Sequence, residues 1–388
     1  MPRLSWLTSI DRFAAIADDW NSLVRTSPCL RHEWLDAWFR SYGRSSEMRV
    51  AWVTADDGSP LGGLAAVRTR HLVHGRLMSL AGSGHACSDG IGVIAAPGHE
   101  AEVVETIAEA FLRRTEAGAP SVRWDEWEWD GVAADDRTTG QLIERLLPDE
   151  GRRLECGILS TWRIAFPDQP WGITDYCSRK TRRKLKQLQR RFDSGEVTLR
   201  FAEGRAEFER AQDLVVELHQ KRRRSLGEPG CFADPLFGPF YAAASSALFD
   251  RGLWKIVWIE HQGKPIGIQT GPFFDRYFYS YQTGIDPESI RLEPGWLVQI
   301  GLLRSAIDER WRGIDYMRGD EEYKQKLGCT PTAVRHVRGC HSRWTARSRF
   351  AMFQLARDAK HWWDSVPNTL PSLPVAATAS ANSEANDD

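Results

Sequence analysis

The chain has 388 residues, 42% of them hydrophobic and 27% charged, which leaves room for two domains of ordinary size. A formal net charge of −1 excludes a protein that binds nucleic acid or another polyanion through its overall charge, and no DNA is expected as a partner. Seven cysteines without a C-x-x-C pair argue against a disulfide framework or a structural zinc site, so a reducing cytoplasm and no metal are expected.

Two helical patterns open the chain. Residues 11–24 carry Phe13, Ile16, Ala17, Trp20 and Leu23 at helical spacing, and residues 32–42 carry Trp34, Leu35, Trp38, Phe39 and Tyr42. Acidic groups and the lack of a long apolar run near the start indicate no signal peptide. No stretch reaches the roughly 18 apolar residues of a membrane span. Strands are predicted at 49–54, 61–68 and 77–80, with a turn at Asp56, Asp57 and Gly58 between the first two. A Gly/Ser-rich segment at 81–92 precedes a helix at 100–115. A strand with Val122, Trp124, Trp127 and Trp129 and a helix at 138–147 close the first half. The Trp strand reads as core rather than as a sugar-binding platform.

FPDQP at 166–170 reads as a linker, after which the pattern repeats. A helix at 176–192 has Cys177, Thr181, Leu185, Leu188 and Phe192 on one face and stops at Gly195. A strand at 197–201 and helices at 208–219 and 236–249 follow, then strands at 253–260, 265–274 and 277–283. A helix at 295–309 and a strand at 314–317 complete it. The expected organisation is one domain at 1–165, a second at 166–364 and a disordered Ala/Ser/Asn/Pro-rich tail at 365–388.

Three segments could carry chemistry. Pro294 and Gly295 open a helix with Leu297, Ile300, Leu303 and Ile307 on its apolar face and no acid in its first turn. Such a helix start suits an anion, with Arg291 adding charge; the plain alternative is a turn before a core helix. The strand at 314–317 leads into Arg318, Asp320, Glu321, Glu322, Tyr323 and Lys324, where a carboxylate can act as a general base unless the loop is merely solvated. Residues 179–191 hold eight Lys or Arg side chains, and KRRR follows at 221–224. This pattern suits a phosphorylated partner or an anionic lipid surface, or else a solvated helix face paired with carboxylates elsewhere. The loop at 82–90 contains His85, Cys87 and Ser88 but no third group to orient a nucleophile, so a structural or substrate-lining loop is expected there. A ligand role and a capping role for His219, expected at a helix end, stay open.

The order of several segments resembles the CelD/BcsL-like acyltransferase family of the GNAT superfamily, linked to bacterial cellulose biosynthesis. The matching segments are RKTRRKL at 179–185, GEV at 195–197, LH at 218–219, GLW at 252–254, GKPIG at 263–267, residues 281–286, Pro294–Gly295 and DYMRG at 315–319 through Tyr323 and Lys324. WLDAW at 34–38 and Ser88–Asp89 resemble the family's first half. The layout is also similar to the tandem-GNAT FemAB/FemX aminoacyltransferases, in which a lysine like that of YKQKLG at 323–328 stands at the active site. RLEPGW at 291–296 departs from the usual GNAT phosphate-loop pattern, having a longer spacing and Trp296 in place of a small residue.

The resemblance implies tandem GNAT-like α/β domains, each a mixed, mostly antiparallel sheet flanked by helices. It implies acyl transfer from an acyl-CoA thioester, acetyl-CoA included, to a hydroxyl or amine of a glycan or lipid-linked saccharide. Direct transfer is expected, because no activated nucleophile is visible. Arg291, Pro294, Gly295, Trp296 and Leu297 would bind the donor. Asp320 or Glu321 would be the base, Tyr323 the acid to the departing thiolate, and Lys324 would hold anions. Asp89, Arg182, Arg183, Lys186, Tyr281 and Arg318 would meet the acceptor, and the helix at 179–191 would dock on the inner membrane from the cytoplasm. The alternatives are an aminoacyl-tRNA-dependent FemAB-like transferase and a non-catalytic accessory protein of polysaccharide synthesis.

Overall fold

The computed structural model describes residues 2–113, 122–169, 171–173, 175 and 179–365. The expected disordered tail beyond Ser365, Pro170 of the linker and Cys177 lie outside the described residues.

A twelve-stranded sheet runs through the whole molecule. From one edge its strands are Val197–Phe201, Trp254–His261, Lys264–Phe274, Tyr277–Tyr279, Gly313–Arg318, Arg153–Ala165, Thr330–Cys340, Glu126–Ala133, Gly75–Leu80, Ala66–His71 and Glu47–Met48, and Gln282–Ile285 pairs separately with Lys264–Phe274. A smaller sheet joins Arg3–Leu7, Val50–Thr54, Pro60–Leu64 and Val93–Ala95.

Two neighbouring pairs are parallel and the others antiparallel, which is the mixed, mostly antiparallel architecture expected. The parallel pairs are Gly75–Leu80 with Glu126–Ala133, and Tyr277–Tyr279 with Gly313–Arg318. Parallel strands need a crossover, and a helix lies between the members of each pair: Glu100–Leu112 in the first half and Pro294–Asp308 in the second. The repeated pattern in the sequence is thus a repeated strand–helix–strand unit.

The halves are not separate blocks. Arg153–Ala165 pairs with Gly313–Arg318 on one side and with Thr330–Cys340 on the other, and Thr330–Cys340 continues onto Glu126–Ala133. The chain therefore returns to the first half after the last crossover. The large core also spans both halves. Trp34, on the helix His32–Ser41, packs edge-on against Phe240 and Tyr281 at 5.1 Å each, and its indole N–H donates to Ser88 Oγ at 2.8 Å. Trp124, Trp127 and Trp129 are buried core residues, the last two stacked at 4.3 Å.

Two helices differ from expectation. Arg205–Ser225 runs past His219, because the cationic run at 221–224 continues it and suits a helix C-terminus; Gly227, at φ 76°, follows its end. His219 is therefore an interior helix residue and caps nothing. Among the described residues the basic helix spans Arg179–Asp193.

Candidate active site

The parallel pair in the second half separates soon after it forms. Its last rung is the Ser280 N–H donating to the Asp315 carbonyl at 2.7 Å; the next amide, Tyr281 N–H, turns to Thr270 O at 3.0 Å. Beyond it, Gln282–Ile285 stays with residues 267–270, while Arg318 pairs with Thr161 on the opposite side. Gly271 permits this close crossing, since a Cβ there would fall 1.7 Å from the Tyr279 carbonyl oxygen. On the other strand, Asp315 Oδ1 accepts the Met317 N–H at 2.8 Å and holds Met317 at φ 54°, a left-handed bulge before Gly319 at φ 119°. Between the diverging strands lies a cavity of about 1130 Å³.

The helix Pro294–Asp308 points its first turn into that cavity, where Pro294, Gly295 and Trp296 form part of the wall. No acid occupies the turn, and a Cβ on Gly295 would meet nothing within 4 Å. The anion-binding capacity is narrower than a generic helix start. Pro294 has no N–H, and the amides of Trp296 and Leu297 both donate to the Glu293 carbonyl at 3.0 and 3.1 Å, which leaves Gly295 as the donor. Glu293 itself is paired with Lys184, whose ammonium also lies 4.9 Å over the Trp296 ring. Leu297 points into the core and Arg291 is exposed away from the cavity wall, so the sequence grouped more residues here than the geometry brings together.

The acidic loop divides in the same way. Asp320 accepts a hydrogen bond from the Trp162 indole at 3.0 Å and lies off the cavity wall, whereas Glu321, Tyr323 and Lys324 line it. Lys324 is 1% exposed. Its ammonium donates to the carbonyls of Met317, Arg318 and Gly319 at 3.3, 3.1 and 2.9 Å and pairs with Glu321 at 2.8 Å. It therefore ties down the bulged turn. Tyr323 packs edge-on against Tyr316 at 5.8 Å, and burial raises its hydroxyl above the ordinary tyrosine pKa.

Arg318, Asp89 and Tyr281 join the two halves. Arg318 binds Asp89 through both its guanidinium and its backbone N–H, and also reaches Asp130 at 3.1 Å and the Ser88 carbonyl at 3.0 Å. Tyr281 Oη donates to the Ala86 carbonyl at 2.8 Å. The loop at 82–90 thus ties the halves together, and its Cys87 also lines the cavity. It lies where the first half's own parallel pair would open, with Ile91 N–H bonded to Gly131 O at 3.1 Å, and a Cβ on Gly131 would meet the Ser88 carbonyl at 2.5 Å. The first half's crossover helix also begins with Glu100 and Glu102, which repel an anion. The second unit's crossover helix, by contrast, has no acid in its first turn and opens onto the cavity.

On the basic helix, Arg182, Arg183 and Lys186 are exposed, and none forms an ion pair among the described residues. The same helix reaches the cavity rim through Lys184.

Another part of the cavity wall holds His219 and, from the KRRR run, Arg222, half-buried and without an ion pair among the described residues; sequence reasoning missed Cys231 and Gln282, which line the cavity with them. The GEPGC segment at 227–231 held a signal for Cys231: Gly227 and Gly230 are both left-handed and fold the loop back against its helix.

Residues 179–325 match the model of an acetyltransferase (GNAT) domain family. Among solved structures the chain is similar to FemX, at 10% identity and a TM-score of 0.61 over 91% of this chain and 99% of that one. It is also similar to a conserved protein of unknown function from Bacteroides thetaiotaomicron (12% identity, TM-score 0.53, 87% of this chain and 100% of that one). A third similar structure is the C-terminal domain assigned to a lysylphosphatidylglycerol synthetase from Agrobacterium fabrum (9% identity, TM-score 0.51, 90% of this chain and 96% of that one). No curated protein sequence matches. The protein has a GNAT-like fold and carries, at residues 179–325, an acetyltransferase (GNAT) domain of acyltransferase type.

Proposed function

We propose that the protein transfers an acyl group from a CoA-type thioester to a hydroxyl or amine of a glycan or lipid-linked saccharide. The observation that carries this reading is the separation of the Tyr277–Tyr279 and Gly313–Arg318 strands against an acid-free helix start. A thioester donor has an extended, amide-bearing arm with phosphates at its far end. Diverging strand edges suit the amides, since a peptide-like chain can pair with a free sheet edge. The Gly295 N–H and the Arg222 guanidinium, both on the cavity wall, suit the phosphates.

Glu321 is the carboxylate of the acidic loop that lines the cavity, where Glu228 and Glu293 are paired with Arg223 and Lys184, and it would draw the proton of the acceptor. Tyr323 would protonate the departing thiolate, and Lys324 acts on the turn rather than on substrate. The saccharide acceptor and the CelD/BcsL-like affiliation rest on the order of motifs in the sequence. The exposed cations of the basic helix support a cytoplasmic enzyme that touches an anionic membrane surface through residues 179–191.

Stabilisation of the purified protein by acyl-CoA thioesters, measured as a rise in Tm and abolished in Gly295→Asp, is the expected result. No rise with any of acetyl-, succinyl- or palmitoyl-CoA would overturn the donor assignment. The exposed cations of the basic helix favour a second reading, in which the donor is a charged tRNA. Transfer that requires aminoacyl-tRNA and ignores CoA esters would establish it instead.

A further inference from the structure

The cationic run at 221–224 is sorted by carboxylates. Lys221 Nζ lies 2.8 Å from Asp286 Oδ1 and 3.1 Å from Glu288 Oε1, and Arg223 pairs with Glu228 at 2.7 Å. Arg222, between them in the chain, forms no ion pair among the described residues and borders the cavity. Successive side chains on a helix point about 100° apart, so a tether on each neighbour of Arg222 fixes which way it faces.

The strong tether is Asp286. Its side chain is fully buried, whereas Glu228 and Glu288 are exposed, and an exposed pair is worth little. Besides Lys221, Asp286 accepts from Lys264 at 2.9 Å, from the Ser289 hydroxyl at 3.0 Å and from the Glu288 N–H at 3.3 Å. A carboxylate has about four acceptor sites, and these donors fill them. Burial opposes the charge, but the hydrogen bonds outweigh it and hold the carboxyl well below the usual aspartate range, so it is ionised at neutral pH.

Asp286 also stands at the root of the Pro294 helix start. Its backbone N–H donates to the Ile266 carbonyl at 2.9 Å, and its side chain caps the short 3₁₀ segment Pro287–Leu292. That segment ends at Glu293, left-handed at φ 58°, and Pro294 and Gly295 follow directly. On the other side, a Cβ on Gly284 would fall 2.5 Å from the His219 backbone nitrogen, so the strand that leads into Asp286 lies hard against the helix Arg205–Ser225. One buried carboxylate therefore ties the helix that bears Arg222 to the segment that leads into Gly295.

We propose that Asp286 is a positioning residue for the phosphate end of the donor: it holds Arg222 and the Gly295 N–H in one fixed relation, so that both reach the same diphosphate. The proposal rests on the thioester-donor reading. Asp286 is off the cavity wall and touches no substrate; it acts through Lys221 and through residues 287–293. Two groups that grip one anion bind it well only when their spacing is set beforehand, because ordering them on binding costs affinity.

Titration calorimetry of free CoA on the full-length protein, run as a double-mutant cycle, tests this. Arg222→Gln and Asp286→Asn should each weaken CoA binding roughly tenfold, the scale of one charge-assisted phosphate contact. The double variant should be no more than about threefold weaker than either single one, because spacing ceases to matter once one of the two groups is gone. A loss of roughly a hundredfold in the double variant, as independent effects would give, would overturn the positioning role and leave the donor reading standing. Unchanged CoA binding in Asp286→Asn would do the same. If Asp286→Asn lacks a cooperative melt, Lys221→Gln takes its place in the cycle and the same outcomes decide, since Lys221 is partly exposed and its loss leaves Lys264, Ser289 and the Glu288 N–H on the carboxylate. Wild type that binds neither CoA nor its acetyl, succinyl and palmitoyl esters would overturn the donor reading and the positioning role with it.

Discussion

Arg318, at the end of the strand that forms one wall of the cavity, grips Asp89 in the loop that fills the corresponding cleft of the first half. The contact couples the two units directly. The residue that ends the second parallel pair is held by the plug of the first, and Asp130 and the Ser88 carbonyl complete the Arg318 donor set. Burial pushes the Asp89 carboxyl up to about 6, against the pull of Arg318. The folded protein therefore holds this proton more tightly than the unfolded chain does. The group favours folding at low pH and loses that contribution as the pH climbs from about 4 through 6. A shift of this size is worth about 3 kcal/mol. Asp89→Asn keeps the shape without the titration. Its unfolding free energy relative to wild type should rise by up to that amount between pH 4 and pH 7. Denaturant titrations at the two pH values check this, and a pH-independent difference contradicts it.

Lys324 should matter more for the shape of the turn than for contact with substrate. Its ammonium serves the carbonyls of Met317, Arg318 and Gly319 from a fully buried position. Lys324→Met fills the same space and leaves those acceptors and Glu321 without their donor. The expected loss is about 3 kcal/mol of stability, read as a lower denaturant midpoint at unchanged m-value. If the midpoint holds and only the transfer rate falls, the lysine acts on substrate instead.

The repeated strand–helix–strand unit was legible because its helices keep a 3.6-residue period and its strands are bounded by turn residues. The joining of the halves was not. Arg153–Ala165 and Thr330–Cys340 mix arginines with apolar residues, as in RLECGILSTWRIA, and strands paired on both sides by each other and by distant segments give no local clue to their partners. At the site, Glu321, Tyr323 and Gly295 followed from a charged loop after a strand and from a Pro-Gly helix start. Asp320 and Leu297 could not be set apart from them, because facing Trp162 or the core is a matter of one residue's direction along the turn or helix. The contact of Cys231 with His219 depends on a loop folding back over twelve residues through two left-handed glycines, which spacing alone does not reveal.

The basic helix makes a prediction about surface binding. Arg182, Arg183 and Lys186 are exposed and unpaired among the described residues, so changing all three to Gln should leave Tm within about a degree, as surface substitutions do. Vesicles with a quarter of their lipid as phosphatidylglycerol should bind the wild type at low salt and release it as salt rises. The triple variant should bind at least tenfold more weakly, on the scale of about 1 kcal/mol per cation near an anionic surface. Equal sedimentation of both proteins with the vesicles would show that this face does not meet the membrane.

Gly295 separates an effect on the donor from an effect on the fold. A Cβ at this position meets nothing within 4 Å, and the position lies in the first turn of the helix, where a carboxylate is favourable to the helix itself. Gly295→Ala should therefore be tolerated, with a small gain in stability from the less flexible unfolded chain. Gly295→Asp should also fold, at equal or higher Tm. In the cavity, however, it sets a negative charge beside the one first-turn amide still free to bind a phosphate. Donor affinity should fall at least tenfold in the Asp variant, about 1.4 kcal/mol, and by far less in the Ala variant. Titration calorimetry with acyl-CoA on both proteins distinguishes the cases. Equal weakening by Ala and Asp would mean that space, not charge, matters at the helix start, and no weakening by Asp would place the donor phosphates elsewhere, with Arg222 the next residue to change.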